Sequence, residues 1–469
     1  MTDLIHLLHR AVWGPWLLAI FLGAGGYLTI RSRGFQIRGF GTWMGETAGK
    51  LAASRKPGKS KREEEAGRPS RTGVSQFQTA CTALAATVGT GNIVGVATAL
   101  AAGGPGAVFW MWVTALIGSS TAFIEGTLAQ LYKEKDPLYG GYRGGPAYYI
   151  HKYLQEKRGG KVRRYCGLSV LFAISGLICW CGISQVISNS VSSAFENAFH
   201  IPPLYSTIAL VVLAAVIVLR KNATVKVLDV VVPIMAVCYF LITVFLILTN
   251  LSSIPGVFSR IFEEAFGVRQ VAAGGFGAVL MNGVKRGLFS NEAGSGSAPC
   301  AAAAAECDLP VKAGLVQALG VFIDTIVICS CTAMIMLLVP QDQIEGLAGM
   351  ELLQTAMRYH LGEAGVIFIA VMLFLFSFST FLGILFYARS NVAYLFGDNW
   401  ASQTAYKVLA LVMLFIGGIA AYTFVWDLGD VGIGLMTVFN TVILYLMGGQ
   451  ALDELKKYEA VRKEQKKKN

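Results

Sequence analysis

The chain has 469 residues, of which 54% are hydrophobic and only 14% are charged. Soluble domains carry about 25% charged residues, so this composition excludes a soluble globular protein and indicates a helical membrane protein with the lipid bilayer as its surroundings. The net charge of +11 would fit nucleic-acid binding. Because the basic residues fall on one side of a consistent topology, we interpret them as orientation signals and expect no nucleic-acid partner.

Eleven apolar runs are candidates to cross a hydrocarbon core about 30 Å thick. We number them helix 1 to helix 11 in chain order, at 13–30, 76–101, 107–132, 168–190, 204–219, 227–249, within 271–305, 313–339, 364–394, 405–424 and 431–450.

The distribution of Lys and Arg predicts the orientation of these helices. If the loop after helix 1 is cytoplasmic, the cytoplasmic segments hold all but four of the 39 basic residues, and the four exceptions are Arg10, Arg260, Arg269 and Arg358. Cytoplasmic loops carry an excess of Lys and Arg. We therefore expect a multi-pass protein of the cell inner membrane, with its N-terminus outside and its C-terminus in the cytoplasm.

Three parts follow from this pattern. Residues 1–73 hold helix 1 and a basic cytoplasmic linker, 74–450 form a transporter core, and 451–469 form a basic tail. The ten core helices divide into two halves, about 74–250 and 251–450. Helix 2 is the first helix of one half and helix 7 is the first helix of the other. The two helices cross the membrane in opposite directions, and both contain glycine runs. Paired interrupted helices at corresponding positions indicate an inverted-repeat transporter.

Helix 2 carries the sequence AATVGTGNIVG at residues 85–95. Glycine costs about 1 kcal/mol relative to alanine inside a helix, and backbone freed at membrane depth must line protein or a polar cavity. Unwound carbonyls can coordinate Na⁺, and the amides of the following half-helix can hold a carboxylate. Packing of small residues is the alternative, but it does not account for Thr87, Thr90 and Asn92 together.

Helix 7 also requires a break, because 35 helical residues would extend about 52 Å. The sequence leaves two positions open, at 274–277 or nearer 287–294. Lys285 and Arg286 favour the cytoplasmic side of the break, since cations are costly at mid-bilayer.

Three strings, ALAATVGTGNIVGVATALAAGGPGAVFWMW, RGGPAYYI and GVKRGLFSNEAGSGSAP, resemble signatures of the alanine or glycine:cation symporter family. The resemblance extends from residue 13 to residue 449. It implies a leucine-transporter-like fold, in which helices 2–11 form the five-plus-five inverted repeat and helix 1 is additional. It also implies secondary active transport, with Na⁺ or H⁺ as the coupling ion, and no enzymatic activity.

The resemblance further implies a set of site residues. Sodium would be bound by the carbonyls of Ala85, Val88 and Phe376 and the hydroxyls of Ser379 and Thr380. The substrate would meet Gly89, Thr90, Gly91, Asn92, Gln185, Gly275, Phe276, Gly277 and Ile384, with Phe276 beside the second break. The residues alone leave alternatives: Ser379 and Thr380 can bond back to their own helix, Gln185 can bond another helix, and Phe276 can be core.

One position departs from the family pattern. Ile384 stands where the family usually has tryptophan, which would enlarge or reshape the pocket. The predicted substrate is therefore a small neutral amino acid, either alanine or glycine or a longer one such as glutamine. One methylene group changes the discrimination between substrates by only about 1–3 kcal/mol in an apolar pocket, so the sequence does not distinguish among these amino acids.

Several ionisable residues lie within apolar runs and are functional candidates by default. Glu125 and Asp324 can pair with Lys285 or Arg286, or carry a proton in an H⁺-coupled carrier. Glu292 is expected to stabilise a gate on the cytoplasmic side.

Asp427 and Asp430 are expected in a short, solvated external loop. A channel or an intramembrane enzyme is the rival class, but no nucleophile or metal set supports an enzyme. Residues 56–60 mimic the end of a phosphate-binding loop, but Ala53 replaces its first glycine, so we expect no nucleotide.

Overall fold

The computed structural model describes residues 2–41, 83–84, 86–160, 164–220, 225–266 and 275–468. The N-terminal part begins with a short helix that the sequence did not predict. Its helices are α1 (Thr2–Val12), α2 (Pro15–Arg31) and α3 (Phe35–Arg38). Pro15 suits the first turn of α2, where its missing N–H would have no partner. A bend of 42° separates α1 from α2, which corresponds to helix 1.

The described residues of the first half of the core form helices and one small hairpin. A π-helical turn at Gly91–Gly95 leads into α4 (Val96–Gly103), followed by α5 (Gly106–Leu131), β1 (Glu134–Lys135), β2 (Tyr142–Arg143), α6 (Pro146–Lys157), α7 (Gly167–Phe199), α8 (Pro203–Val218) and α9 (Val225–Thr249). The antiparallel strands pair Glu134 with Arg143. The basic loop before helix 4 thus contains a hairpin and a helix.

The second half of the core is also helical in its described residues. It contains α10 (Ile254–Phe266), α11 (Phe276–Asn291), α12 (Ala298–Ala304), α13 (Pro310–Val321), a π-helical segment (Phe322–Cys329), α14 (Ser330–Leu337), α15 (Gly349–Phe396), α16 (Trp400–Ile419) and α17 (Tyr422–Lys468). Gly362 has a φ of 64°, so α15 is two helices joined at a kink, and the second of them is helix 9.

Six described helices are long and apolar enough to cross a membrane, or up to eight if each of two bent pairs is one span. The count of eleven remains a prediction, because two shorter apolar helices, Gly91–Gly103 and Pro203–Val218, fall below that length and part of helix 2 lies outside the described residues.

The core of the bundle lies around α7 and α5. Helix α7 packs against α15, α16 and α17, while α5 packs against α11 and α13. Large side chains fill the space between them and are almost fully buried, as Tyr149, Trp180, Phe376 and Tyr387 are. Helices α5 and α7, together with the helices packed against them, carry buried polar residues that are described below.

The expectation for Asp427 and Asp430 is wrong. Helix α17 begins at Tyr422, so both aspartates are helical, and Asp430 is 0% exposed. The charged tail continues the same helix to Lys468, supported by pairs one turn apart such as Lys456 Nζ to Asp453 Oδ1 at 2.8 Å. Partners from other helices neutralise Asp430, which the local sequence could not reveal.

Candidate functional site

The break in helix 2 is short. Residues 83, 84, 86 and 87 are helical, Val88 and Gly89 are not, and the helix resumes at Thr90. The Asn92 Oδ1 atom accepts a hydrogen bond from the Gly89 N–H at 2.8 Å, which satisfies an amide freed by the break. A Cβ atom at Gly89 would lie 1.9 Å from Thr380 Oγ1, so only glycine allows α15 to approach this closely.

The break in helix 7 lies between α11 and α12, at 292–297. Glu292, Gly294 and Gly296 have φ values of 53°, 87° and 91°, a region that favours glycine. The Glu292 carboxylate accepts a hydrogen bond from the Ser297 hydroxyl inside the break. Glu292 therefore belongs to the break itself. Of the two predicted positions, 287–294 is nearer to this break than 274–277.

The placement of Phe276 beside a break remains a prediction, because residues 267–274, which precede it, lie outside the described part of the chain. Gly275, Phe276 and Gly277 form the start of α11, about 24 Å from Glu292 at 1.5 Å per residue. The Phe276 ring lies 6.0 Å from the ring of Trp110, and Gly277 is exposed.

The two broken helices meet at their interrupted ends. The Asn92 side chain donates to Ser290 Oγ at 2.8 Å, one residue before the end of α11. A Cβ atom at Gly91 would lie 3.2 Å from both Phe289 Cδ1 and Ser290 Cα. Asn92 therefore joins the two halves of the protein at the point where both backbones become irregular.

Asp324 connects this junction to a third helix. Its carboxylate accepts hydrogen bonds from Asn92 Nδ2 at 2.8 Å and from Ser290 Oγ at 2.6 Å. Thr325 Oγ1 donates to the same carboxylate at 2.9 Å. Asp324 is 0% exposed and lies in the π-helical segment Phe322–Cys329, a local widening that is frequent at functional sites. It pairs with polar groups, not with Lys285 or Arg286.

Glu125 supports the second break from α5. Its carboxylate accepts a hydrogen bond from the Gly294 N–H at 3.1 Å and another from the Asn440 side chain. The same Asn440 amide donates to Gly294 O at 3.0 Å, and the Tyr149 hydroxyl donates to Asn440 Oδ1. Glu125 and Asn440 are both 0% exposed. This cluster satisfies both backbone groups of Gly294, which sequence reasoning missed because its members are distant in the chain.

The C-terminal end of α12 is held in a similar way. Gln130 Nε2 donates to Ala305 O at 2.9 Å, and Lys133 Nζ donates to the same carbonyl at 3.1 Å. A cation at a helix C-terminus is favourable. Burial lowers the pKa of Lys133, which follows α5 at the end of the bundle.

The face of α15 that was predicted to bind sodium packs on the first break. Thr380 lies against Gly89, and Ser377 Oγ is 2.9 Å from Thr90 Oγ1. Ser379 Oγ donates to Phe376 O at 2.8 Å, the bond back to its own helix that was the alternative. The structure thus brings Val88, Phe376, Ser379 and Thr380 onto adjacent segments of α15 and helix 2. Ala85 lies outside the described residues.

The remaining two predicted residues occupy different places. Ile384 is 1% exposed and lies one turn after Thr380 on α15. Gln185 lies on the α16 side of α7, where its Nε2 atom is 3.4 Å from Met413 Sδ. It borders an apolar cavity of about 620 Å³ between α7, α16 and α17. Gln185 therefore makes the contact with another helix that was its alternative.

A layer of aromatic and charged groups covers the junction on the side of α1. The Phe289 and Trp426 rings are 5.1 Å apart, and the Arg286 guanidinium lies 4.7 Å from the centre of the Trp426 ring. Arg286 binds Asp430 through two hydrogen bonds of 3.0 and 2.6 Å. We call Arg286, Phe289, Trp426 and Asp430 the seal. Lys285 also contacts Asp430, at 3.3 Å, so both cations lie at the same end of the bundle as α1. The predictions of an external N-terminus and of a cytoplasmic position for these two cations therefore do not agree with each other.

Comparison with known proteins agrees with this geometry. The profile of the sodium:alanine symporter family matches residues 1–469. The chain is 38% identical to the probable sodium/glutamine symporter GlnT of Bacillus subtilis, over 99% of this chain and 92% of that protein. It is also 38% identical to the putative sodium/proton-dependent alanine carrier protein YrbD of the same organism, with coverages of 99% and 94%.

Among solved structures, MhsT in complex with L-phenylalanine superposes with a TM-score of 0.57 at 15% identity, covering 81% of this chain and 92% of that chain. The fold is thus the leucine-transporter-like fold of a multi-pass membrane transporter, as predicted. With the profile match along its whole length, the chain belongs to the sodium:alanine symporter family.

Proposed function

We propose that this protein is a Na⁺-coupled symporter that carries a small neutral amino acid into the cell by alternating access. The observation that carries this proposal is the meeting of two interrupted helices at Asn92 and Ser290, where backbone groups face buried polar side chains. Irregular backbone at membrane depth is tolerated where it is buried in protein or lines a cavity, and transporters use it to bind substrate and ion.

The sodium ion in this proposal lies between helix 2 and α15. Val88 and Phe376 supply carbonyl oxygens, Ser379 and Thr380 supply hydroxyls, and Ala85 would complete the set. Neutral oxygens suit a singly charged hard cation, because they replace its hydration shell without burying a full carboxylate. The close approach of Thr380 to Gly89 supports this placement, since it brings α15 against freed backbone.

The substrate in this proposal lies at the junction of the two breaks. Its carboxylate would lie beside Gly89 and meet the amides of Thr90 and Gly91, which begin a half-helix at its positive dipole end. The Gly89 N–H itself donates to Asn92 Oδ1. Asn92 would hold the junction in place through Ser290 and Asp324. Ion and substrate would then share one helix break, which makes binding of each favourable to the other.

The side chain of the substrate is the least constrained part of the proposal. Ile384 lies one turn from Thr380, so its branched side chain would shape the pocket wall. Alanine, glycine and glutamine remain the candidates, and the named relatives include both a glutamine symporter and an alanine carrier.

The orientation also belongs to the proposal. With the basic loops in the cytoplasm, α1 and the seal face the outside of the inner membrane, and the tail of α17 enters the cytoplasm. The seal then closes the outer route to the junction. Transport requires Arg286 and Asp430 to separate and α17 to move away from α11.

The experiment is uptake by purified protein in proteoliposomes, with a panel of twenty competing amino acids and with or without an inward Na⁺ gradient. We expect saturable, Na⁺-dependent uptake that only small neutral amino acids inhibit. The Asn92→Leu variant should fold and lose uptake, while Asn250→Leu at the end of α9 serves as the matched control. Normal uptake kinetics in Asn92→Leu would contradict the proposed site.

Proton coupling is a second candidate, favoured by the complete burial of Asp324 and Glu125. A carrier of this kind must load and release a proton at a carboxylate in each cycle. Uptake driven by an inward pH gradient in the absence of Na⁺ would favour it, and the Asp324→Asn variant would then lose that dependence.

A further inference from the structure

A cluster of metal-ligating side chains adjoins the seal, shares Asp430 with it, and lies outside the proposed substrate and sodium sites. His6 and His9 lie one turn apart on α1, and Asp427 and Asp430 lie one turn apart on α17. The His6 Nδ1 atom is 2.5 Å from Asp427 Oδ2, and His9 Nε2 is 3.8 Å from Asp427 Oδ1. The same His9 nitrogen is 3.3 Å from Asp430 Oδ2. Two helices that are remote in sequence thus converge on one point.

We propose that His6, His9 and Asp427 form a binding site for a divalent transition-metal ion of the Zn²⁺ type, and that the bound ion holds α1 closed over the seal. Imidazole nitrogen and carboxylate oxygen are the ligands that Zn²⁺ prefers besides thiolate. Neither histidine belongs to the transport site, so the ion would act as a regulator and not as a coupling ion.

Asp427 lies within reach of both histidines. With metal–ligand bonds of about 2.0–2.2 Å, neighbouring ligand atoms lie about 3.3–3.6 Å apart. The separation from His9 Nε2 to Asp427 Oδ1, 3.8 Å, is already close to this value. His6 and Asp427 are hydrogen-bonded at 2.5 Å, so the His6 ring would move about 1 Å away from that carboxylate and toward His9 to admit the ion. The fourth position is left for water.

The charges select Asp427 over Asp430 as the carboxylate ligand. Arg286 and Lys285 both bind Asp430, at 2.6 and 3.3 Å. Within the part of the chain that the structure describes, Asp427 forms ion pairs with the two histidines alone. Its negative charge is therefore available to a cation, whereas that of Asp430 is already neutralised.

Two further features set the strength and access of the site. The Lys285 Nζ atom lies 3.4 Å from His9 Nε2, and its charge opposes a second cation. We therefore expect weaker binding than at a structural zinc site. The His6 side chain is 42% exposed, so an ion reaches the site from solvent without opening the bundle.

The bound ion would slow transport because the cluster includes residues at the start of α17. A metal bridge between α1 and Asp427 would fix the first turns of α17, which also carry Trp426 and Asp430 of the seal. If the seal must open for transport, fixing α17 closes the outer route. This consequence rests on the proposed transport function, whereas binding of the ion does not.

Binding is measured by calorimetric titration of ZnCl₂ into the purified full-length protein in detergent, and by the rise in its thermal unfolding temperature. We expect saturable binding that MgCl₂ does not reproduce, because Mg²⁺ prefers oxygen ligands. The double variant His6→Gln/His9→Gln should bind Zn²⁺ at least about tenfold more weakly, and His360→Gln, on the far part of α15, is the matched control. Equal affinity in the double variant and the control would overturn the proposal.

Asp427→Asn tests the same site from α17 and leaves α1 intact. It should lose Zn²⁺ affinity to a similar degree, and unchanged affinity would contradict Asp427 as a ligand. In proteoliposomes, external Zn²⁺ should inhibit uptake by the wild-type protein and by His360→Gln but not by the double variant. Inhibition that persists in the double variant would show that the ion acts elsewhere.

Discussion

The two helix breaks differ in what stabilises them. Among the described residues of helix 2, the break comprises Val88 and Gly89, and its freed amide is satisfied three residues away by Asn92. The break in helix 7 extends over six residues, 292–297, and its Gly294 is satisfied by Glu125 and Asn440 from two other helices. A short break is thus stabilised locally, whereas a long one depends on the tertiary structure. Substitutions that remove one kind of support and not the other test this difference.

The largest effect is expected at Glu125. In Glu125→Leu the Gly294 N–H and the Asn440 amide lose their buried acceptor, which costs about 1–3 kcal/mol for each unsatisfied group. We expect a strong fall in folded protein, measured by the thermal unfolding temperature and by yield after size-exclusion chromatography. Glu351→Leu, at an exposed position of α15, is the control. Wild-type stability in Glu125→Leu would show that the second break does not need its distant support.

The next effect is expected at Gly89. In Gly89→Ala the new methyl group would lie 1.9 Å from Thr380 Oγ1, so α15 must move away from helix 2. We expect the variant to fold, because the contact is local. Uptake should fall at least about tenfold, because this contact positions the residues that would bind the ion. Gly277→Ala is the matched control, because nothing lies within 4 Å of its added methyl group. Equal uptake by the two variants would remove the first break from the site.

A smaller, selective effect is expected at Thr380. The Thr380→Val variant keeps the side-chain shape and removes one oxygen from the proposed sodium site, so the Na⁺ concentration for half-maximal uptake should rise several-fold. The maximal rate at saturating Na⁺ should change less. Uptake measured against external Na⁺ tests this, with Thr249→Val at the end of α9 as control. An unchanged Na⁺ dependence would exclude α15 as the source of ion ligands.

The smallest effect is expected at Ile384, where the change concerns specificity alone. Ile384→Trp should reduce the pocket and shift preference toward alanine and glycine, because a hydrophobic pocket discriminates by about 1–3 kcal/mol per methylene. The ratio of inhibition by alanine and by glutamine measures the shift. Identical competition profiles would show that this position does not shape the pocket.

The sequence by itself was sufficient for the features that depend on local composition. Long apolar runs predicted the membrane class, and glycines beside Thr90 and Asn92 predicted the first break, because helix weakness is a property of a few adjacent residues. The family resemblance then predicted the fold and the symporter family, and both are confirmed. The sodium-site residues on α15 remain a prediction that the contact of Thr380 with Gly89 supports.

The tertiary structure decided the features that depend on partners from distant segments. Asp430 was predicted to be solvated, yet it is buried, and Arg286, which lies 144 residues earlier in the chain, neutralises it. The sequence left two positions open for the second break, and the irregular backbone at 292–297 is stabilised by Glu125 and Asn440, which are distant in the chain. A backbone group at membrane depth must find a partner, and which residue supplies it is set by how the helices pack.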